Sequence, residues 1–299
     1  MHASADCLPC VLRQTLLAAR RVTEDPWLHR KLLFAVMESL PSFQFDRTPA
    51  ELSYECLRFA SKYLGVADPF RDDKARFTAK MLAAESRMRQ EILAAADPLL
   101  AAVRFALAGN VIDLGILDNS RVDEELARDA HALDLALDDT AALRAALDGA
   151  RSVLYLLDNA GEIVCDKLLI EQFHLPQVTC VVRKAPIIND VTREDAEAVG
   201  LGRLAKIVDI GVEALGVPLS RCSAEFRRLF ADVDVVISKG QANFETLDDA
   251  DRAVFHILRA KCDTIAAYLG VSRGAAVVVR TPRQAPDQGG AGGQRPTPQ

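Results

Sequence analysis

From Ser152 onward the chain repeats one device, a short run rich in valine and isoleucine followed by a stretch with helical spacing. The runs are SVLYLL, QVTCVVR, AKIVDI, DVDVVISK and AAVVVR, and helical candidates fall at 162–173, 193–199, 221–231 and 249–269. Runs that are apolar throughout, rather than alternately, belong to strands covered on both faces. Strands that alternate with helices pair mostly in parallel, because a parallel pair needs a long crossover connection. The expected fold class for residues 151–280 is therefore α/β with a mostly parallel sheet.

Residues 1–150 have a different pattern. In TPAELSYECLRFASKYLG, Thr48 can cap a helix, Pro49 suits its first position and Glu51 completes a capping box. Leu52, Cys56, Phe59 and Tyr63 recur at spacings of three and four, and Gly65 ends the run. A longer helix is expected between Pro69 and Pro98, with further helical pieces at 99–108, 122–132 and 141–147. No strand is expected in this half. Residues 281–299, rich in proline, glycine and glutamine, read as a disordered tail.

Composition bounds the function. Half of the residues are hydrophobic and 26% are charged, enough for a sizeable core without disulfides. A net charge of −6 argues against a nucleic-acid surface. No apolar run approaches the roughly 18–20 residues of a membrane span, and the first ten residues lack the layout of a secretory signal. Seven scattered cysteines fit a reducing cytoplasm. Oligomeric state is not legible in this sequence.

Ligands of open parallel sheets sit outside the carboxyl ends of the strands. The polar residues just after the runs are Asp158, Asn159, Gly161 and Glu162; Arg183, Lys184, Asn189 and Asp190; Asp209 and Gly211; and Ser238, Lys239, Gly240, Gln241, Asn243 and Glu245. Asp158, Asn159 and Asp190 offer two carboxylates and an amide oxygen, a donor set for a hard divalent ion such as Mg²⁺ or Mn²⁺. Gly161 would let a substrate approach the backbone at a helix start, and Lys239 would neutralise phosphoryl charge. Each residue also has an ordinary reading. Asp-Asn after a strand is commonly a turn or a cap, Asp190 can cap the next helix, Lys239-Gly240 can be a solvated turn, and Glu162 suits any first helical turn.

Several motifs resemble, in order, those of the damage-control phosphatase family, also known as domain of unknown function 89 or acidic-residue-methyltransferase-like. They are DCLPCVLRQ, DPFRDDKARFTAKML, ADPLLAAVRFALAGNVIDLG, DNAGEIVCDKLLIE, VVRKAPIINDVTREDA, VDVVISKGQANFETL and LRAKCDTIAAYLGV, spanning about Asp6 to Arg280. The opening motif resembles the CxxC-bearing prokaryotic branch. The resemblance implies a helical N-terminal domain followed by a Rossmann-like three-layer domain. It also implies metal-dependent hydrolysis of phosphate esters on small metabolites, sugar phosphates or damaged phosphorylated cofactors, a form of metabolite repair. The implied metal ligands are Asp158, Asn159 and Asp190, for Mn²⁺, Mg²⁺, Co²⁺ or Ni²⁺. The implied substrate-facing residues are Asn110, Asp113 and Lys239, with Glu162, Arg183 and Asn243, and Gly161 and Gly240 lie in the same turns. The expected chemistry is attack by a metal-activated water, with Asp158 as a covalent phosphoryl acceptor the second mechanism. S-adenosylmethionine-dependent carboxylate methylation is an alternative activity. The turn DNAGE, which is not a G-x-G fingerprint, weighs against it. A non-catalytic metal-binding module is a third reading.

Cys7 and Cys10 share a helical face and read as packing, as a metal pair or as a redox pair. Cys56, Cys165, Cys180 and Cys262 are expected to be buried packing residues.

Overall fold

In the computed structural model, the residues described are 1–40, 46–109, 122–174 and 177–282. The helices are α1 (Cys7–Val22), α2 (Pro26–Ser39), α3 (Pro49–Leu64), α4 (Arg71–Ala94), α5 (Pro98–Gly109), α6 (Val122–Ala132), α7 (Thr140–Asp148), α8 (Glu162–Ile170), α9 (Arg193–Ala198), α10 (Ala224–Asp232), α11 (Gln241–Leu247) and α12 (Asp263–Leu269). The strands are β1 (Leu135–Asp138), β2 (Ser152–Leu156), β3 (Gln177–Val182), β4 (Lys206–Asp209), β5 (Val235–Lys239), β6 (Val254–Arg259) and β7 (Ala276–Thr281). Among these helices none is long and apolar enough to cross a membrane.

Helix α3 begins as its sequence dictates. The Thr48 hydroxyl accepts from the Glu51 N–H, the Glu51 carboxylate accepts from the Thr48 N–H, and Gly65 closes the helix with a left-handed φ of 68°. Helices α1, α2 and α3 share a small core that includes Val11, Ala19, Leu32, Val36, Leu52 and Ala60. A second cluster, Ala18, Ala50, Leu57 and Phe70 with Ile187 and Leu215, seals this bundle onto the loops after β3 and β4.

The seven strands form one sheet in the order β1-β7-β6-β5-β2-β3-β4. Strands β6, β5, β2, β3 and β4 are parallel, β7 runs antiparallel to β6, and β1 runs parallel to β7. The mostly parallel α/β architecture expected from the sequence is thus present. Alternation along β2 places Val153, Tyr155 and Leu157 on one buried face and Leu154 and Leu156 on the other. The chain runs outward from β2 through β3 to β4, then returns to the other side of β2 for β5 and β6. The order of connection therefore reverses at β2, and a crevice opens at the carboxyl ends of β2 and its neighbours.

Two strands lay outside the sequence reading. Strand β1 was not expected before residue 150. Its residues, LALD, carry no β preference, and only pairing with β7 makes them extended. Strand β6 fell inside a stretch read as one helix, 249–269. A short apolar run has no periodicity that separates strand from helix, and burial between β5 and β7 decides for the strand.

Candidate active site

Asp158 and Asn159 follow β2, Asp190 lies in the loop after β3, Lys239 ends β5, and Glu162 opens α8. Backbone pairing joins the first two loops. Asn159 and Asp190 form an isolated antiparallel bridge, the Ala160 N–H donates to the Asn189 carbonyl at 2.8 Å, and the Val191 N–H donates to the Asp158 carbonyl at 2.9 Å. Asp158, Asn159 and Asp190 therefore share one edge. Asn159 Nδ2 donates to Asp158 Oδ2 at 2.7 Å and to Glu162 Oε2 at 2.9 Å.

Behind this edge lies a buried network. Arg183 donates from Nε to Asp190 Oδ2 at 2.6 Å, from NH2 to Asn243 Oδ1 at 2.9 Å and from NH1 to the Gly216 carbonyl at 3.0 Å. Asn243 Nδ2 donates to the carbonyls of Leu157 and Lys239, tying the ends of β2 and β5 together. Lys239 Nζ donates to Glu162 Oε1 at 2.6 Å, Asp166 Oδ1 at 2.5 Å and the Ala106 carbonyl at 3.3 Å, and the Tyr155 hydroxyl donates to the same Asp166 oxygen at 2.7 Å. Lys239, Glu162, Asp166 and Asn243 are all 0% exposed.

These contacts reassign several expected roles. Lys239 spends its three N–H groups inside the protein, so in this arrangement it anchors carboxylates rather than facing a phosphoryl group. Arg183 and Asn243 likewise hold the loops in place. Gly161, at φ 80°, leaves space not for a substrate but for the ring of Phe77 from α4, which a Cβ there would overlap. Gly240, at φ 79°, leaves room for the Asp158 carboxylate itself. Asn110 and Asp113 lie outside the described residues. They follow Gly109, where an added Cβ would sit 3.6 Å from Glu162 Cγ, so α5 ends beside the site.

Electrostatics singles out Asp158. Burial, with the charges of Glu162 and Asp190 added, pushes its carboxyl up to about 7, against the pull of Lys261 and Arg183. Burial also raises Asp190, while Arg183 and then Lys261 hold it back. Asp166 rises to about 6 through burial, offset in part by Lys239 and pushed further by Glu162. Burial works against the charge on Lys239, but Asp166 and Glu162 outweigh it and keep the ammonium charged.

Lys261 and Asp166 are the residues that sequence reading missed. Lys261 is exposed and lies just past β6, at the same sheet edge, and its charge acts on both Asp158 and Asp190. It was hidden because 249–269 looked helical. Asp166 had a signal. It stands four residues after Glu162 on a helix of which eight of nine residues are buried, so its charge needed a partner.

Among the described residues no three His, Cys, Asp or Glu side chains already ring a common point. The donors at this edge are two carboxylates and an amide. Their fit to a hard divalent ion is seen in Asp158, whose carboxyl resists ionising beside Glu162 and Asp190 and whose charge a cation would stabilise. A cavity of about 360 Å³ lined by Leu99, Arg144, Phe173 and His174 lies at the opposite, amino-terminal edge of the strands, away from these groups.

Comparison with known proteins gives a consistent picture. The family described as "Damage-control phosphatase ARMT1-like domain" matches residues 3–277. "Damage-control phosphatase PH1575" of Pyrococcus horikoshii is 32% identical over 291 residues, 94% of this chain and 98% of that one. "Damage-control phosphatase" of Archaeoglobus fulgidus is 30% identical over 283 residues, 92% and 97% of the two chains. The crystal structure of the DUF89 family protein PH1575 superposes with a TM-score of 0.87 at 31% identity, covering 94% of this chain and 99% of the other.

Proposed function

Because this chain belongs to the damage-control phosphatase ARMT1-like family, we propose that it hydrolyses phosphate monoesters of small metabolites, sugar phosphates or damaged phosphorylated cofactors, with a divalent ion held by Asp158, Asn159 and Asp190. The observation that carries this reading is the backbone bridge between Asn159 and Asp190, which sets two carboxylates and an amide at the reversal point of the sheet. When bound there, Mn²⁺, Mg²⁺, Co²⁺ or Ni²⁺ supplies positive charge against the phosphoryl oxygens and makes water acidic enough to attack at neutral pH.

The chain's own residues then have separate tasks. Arg183 fixes Asp190 through Oδ2. Glu162 and Asp158 both accept from Asn159 Nδ2, which reserves the amide oxygen for the ion. Lys239 and Asp166 hold Glu162 rigid from behind. Lys261, exposed beside the acidic edge, attracts the phosphoryl dianion and offsets the local negative charge. All seven cysteines are free thiols, which supports work in a reducing compartment such as the cytoplasm.

The test is a panel of phosphorylated metabolites assayed with and without each ion, repeated with Asp190→Asn and Lys261→Ala. Ion-dependent turnover of a restricted substrate set is expected, falling roughly a hundredfold or more in Asp190→Asn. Folded protein that turns over nothing with any ion contradicts the proposal. A trapped aspartyl phosphate on Asp158 would replace the water mechanism with a covalent one.

A further inference from the structure

The CLPC turn at the start of α1 has no part in the site above. Cys7 and Cys10 are the first and fourth residues of α1. The Ser4 N–H donates to Cys7 Sγ at 3.4 Å, and the Ser4 and Thr264 hydroxyls meet at 3.2 Å. These contacts hold the CLPC turn against the start of α12, and the residue capping that helix is Cys262. Cys262 Sγ accepts from Gln241 Nε2 at 3.6 Å, and the same nitrogen donates to Glu245 Oε1 at 2.9 Å. Cys262 is thus no packing residue within a helix face. It is half-buried, as is Cys7, while Cys10 is exposed, and all three are free thiols.

Segments from opposite ends of the chain therefore bring three thiols and a buried carboxylate to one place. The local electrostatics agrees. Partial desolvation raises the Cys10 thiol above its ordinary value, Cys262 is the neighbour that raises it most, and Cys7 and Glu245 add to the effect against Arg13. Glu245 is itself pushed up to about 7 by burial.

We propose that Cys7, Cys10 and Cys262 form a second metal site, for a thiophilic divalent cation of the zinc class. Thiolates select such ions, whereas the oxygen donors at Asp158 and Asp190 suit Mg²⁺ or Mn²⁺. Three sulfurs leave a fourth position for Glu245 or water. The side chains do not already converge on one point. Binding turns the exposed Cys10 inward and releases the thiol protons to solvent, with no change of oxidation state. The site has a structural consequence for the catalytic edge. Lys261 immediately precedes Cys262, and its N–H donates to Gln241 Oε1 at 3.0 Å, so an ion on Cys262 anchors the turn that carries Lys261.

The experiment uses the reduced, chelator-stripped full chain titrated with Co²⁺, reading the thiolate-to-cobalt charge-transfer absorption that carboxylates do not produce. One equivalent of this band, displaced by Zn²⁺, is expected in the wild type. The same band is expected in Asp190→Asn, which impairs only the oxygen site, and in Cys222→Ser, a buried thiol elsewhere. In Cys10→Ser and Cys262→Ser the affinity falls at least roughly tenfold. Cys10 is exposed, so its serine variant keeps the fold. Absence of the band in folded wild type, or its persistence at full affinity in Cys262→Ser, overturns the proposal. Because the signal is specific to sulfur, its failure and a failure of the phosphatase reading are separate results.

Discussion

Gly240 shows how closely the central carboxylate is confined. A methyl group there would overlap Asp158, and the backbone sits at φ 79°, where only glycine is comfortable. Gly240→Ala is expected to cost roughly a hundredfold in kcat/KM through displacement of Asp158, measured beside a thermal melt that confirms folding. The proton on Asp158 makes a second prediction. Its folded pKa is about 7 against an ordinary 3.8, so below pH 7 an ion must displace a proton. Calorimetric ion affinity is expected to fall roughly tenfold per pH unit below about 7 and to level off above it. In the ion-free protein the sign is opposite for stability. Between these two values the folded state holds a proton that the unfolded state has released, so this group's contribution declines as pH rises. At this scale Asp158, Asn159 and Asp190 were legible because each follows a recognisable strand. The partners of Arg183, Lys239 and Gly161 were not, because they depend on α4, α5 and α8 packing over the strand ends.

At the scale of elements, α8 is the helix on which the site depends. Glu162 and Asp166, one turn apart, both reach Lys239 at the end of β5. Removing the cation leaves two buried carboxylates without it, so Lys239→Met is expected to destabilise the fold by about 3–5 kcal/mol in denaturant titration. Lys261→Ala, at an exposed turn, is expected to change stability by no more than about 0.5 kcal/mol while raising KM. The contrast separates an internal anchor from a substrate-facing charge, and equal destabilisation by both would contradict it. The strands differ in legibility for a physical reason. Apolar β2 and valine-rich β3 and β5 carry their own signal, whereas β1 is extended only because β7 lies beside it. Misreading β6 as helix had the larger effect, because it concealed Lys261 and placed Cys262 on the wrong kind of surface.

At the scale of the molecule, the sheet does not begin where the valine-rich runs begin. Strand β1 pairs with β7, and α4, α5 and α6 contribute Met81, Phe105 and Leu126 to the same core as Tyr155 and Val182. A chain of residues 151–282 alone is therefore expected to lack a cooperative unfolding transition, and a sharp, reversible melt of that fragment would contradict this. The same packing brings α5 and α8 together at the acidic edge, so the site depends on both halves of the chain. The proposed function requires that Asp158, Asn159 and Asp190 hold one divalent ion. The most direct measurement is Mn²⁺ titration by calorimetry alongside aryl phosphate hydrolysis, for the wild type and for Asp190→Asn. One site in the wild type, turnover that follows its occupancy, and affinity at least roughly tenfold weaker in the variant are expected. Turnover that survives complete chelation, or Asp190→Asn binding Mn²⁺ as the wild type does, would contradict it.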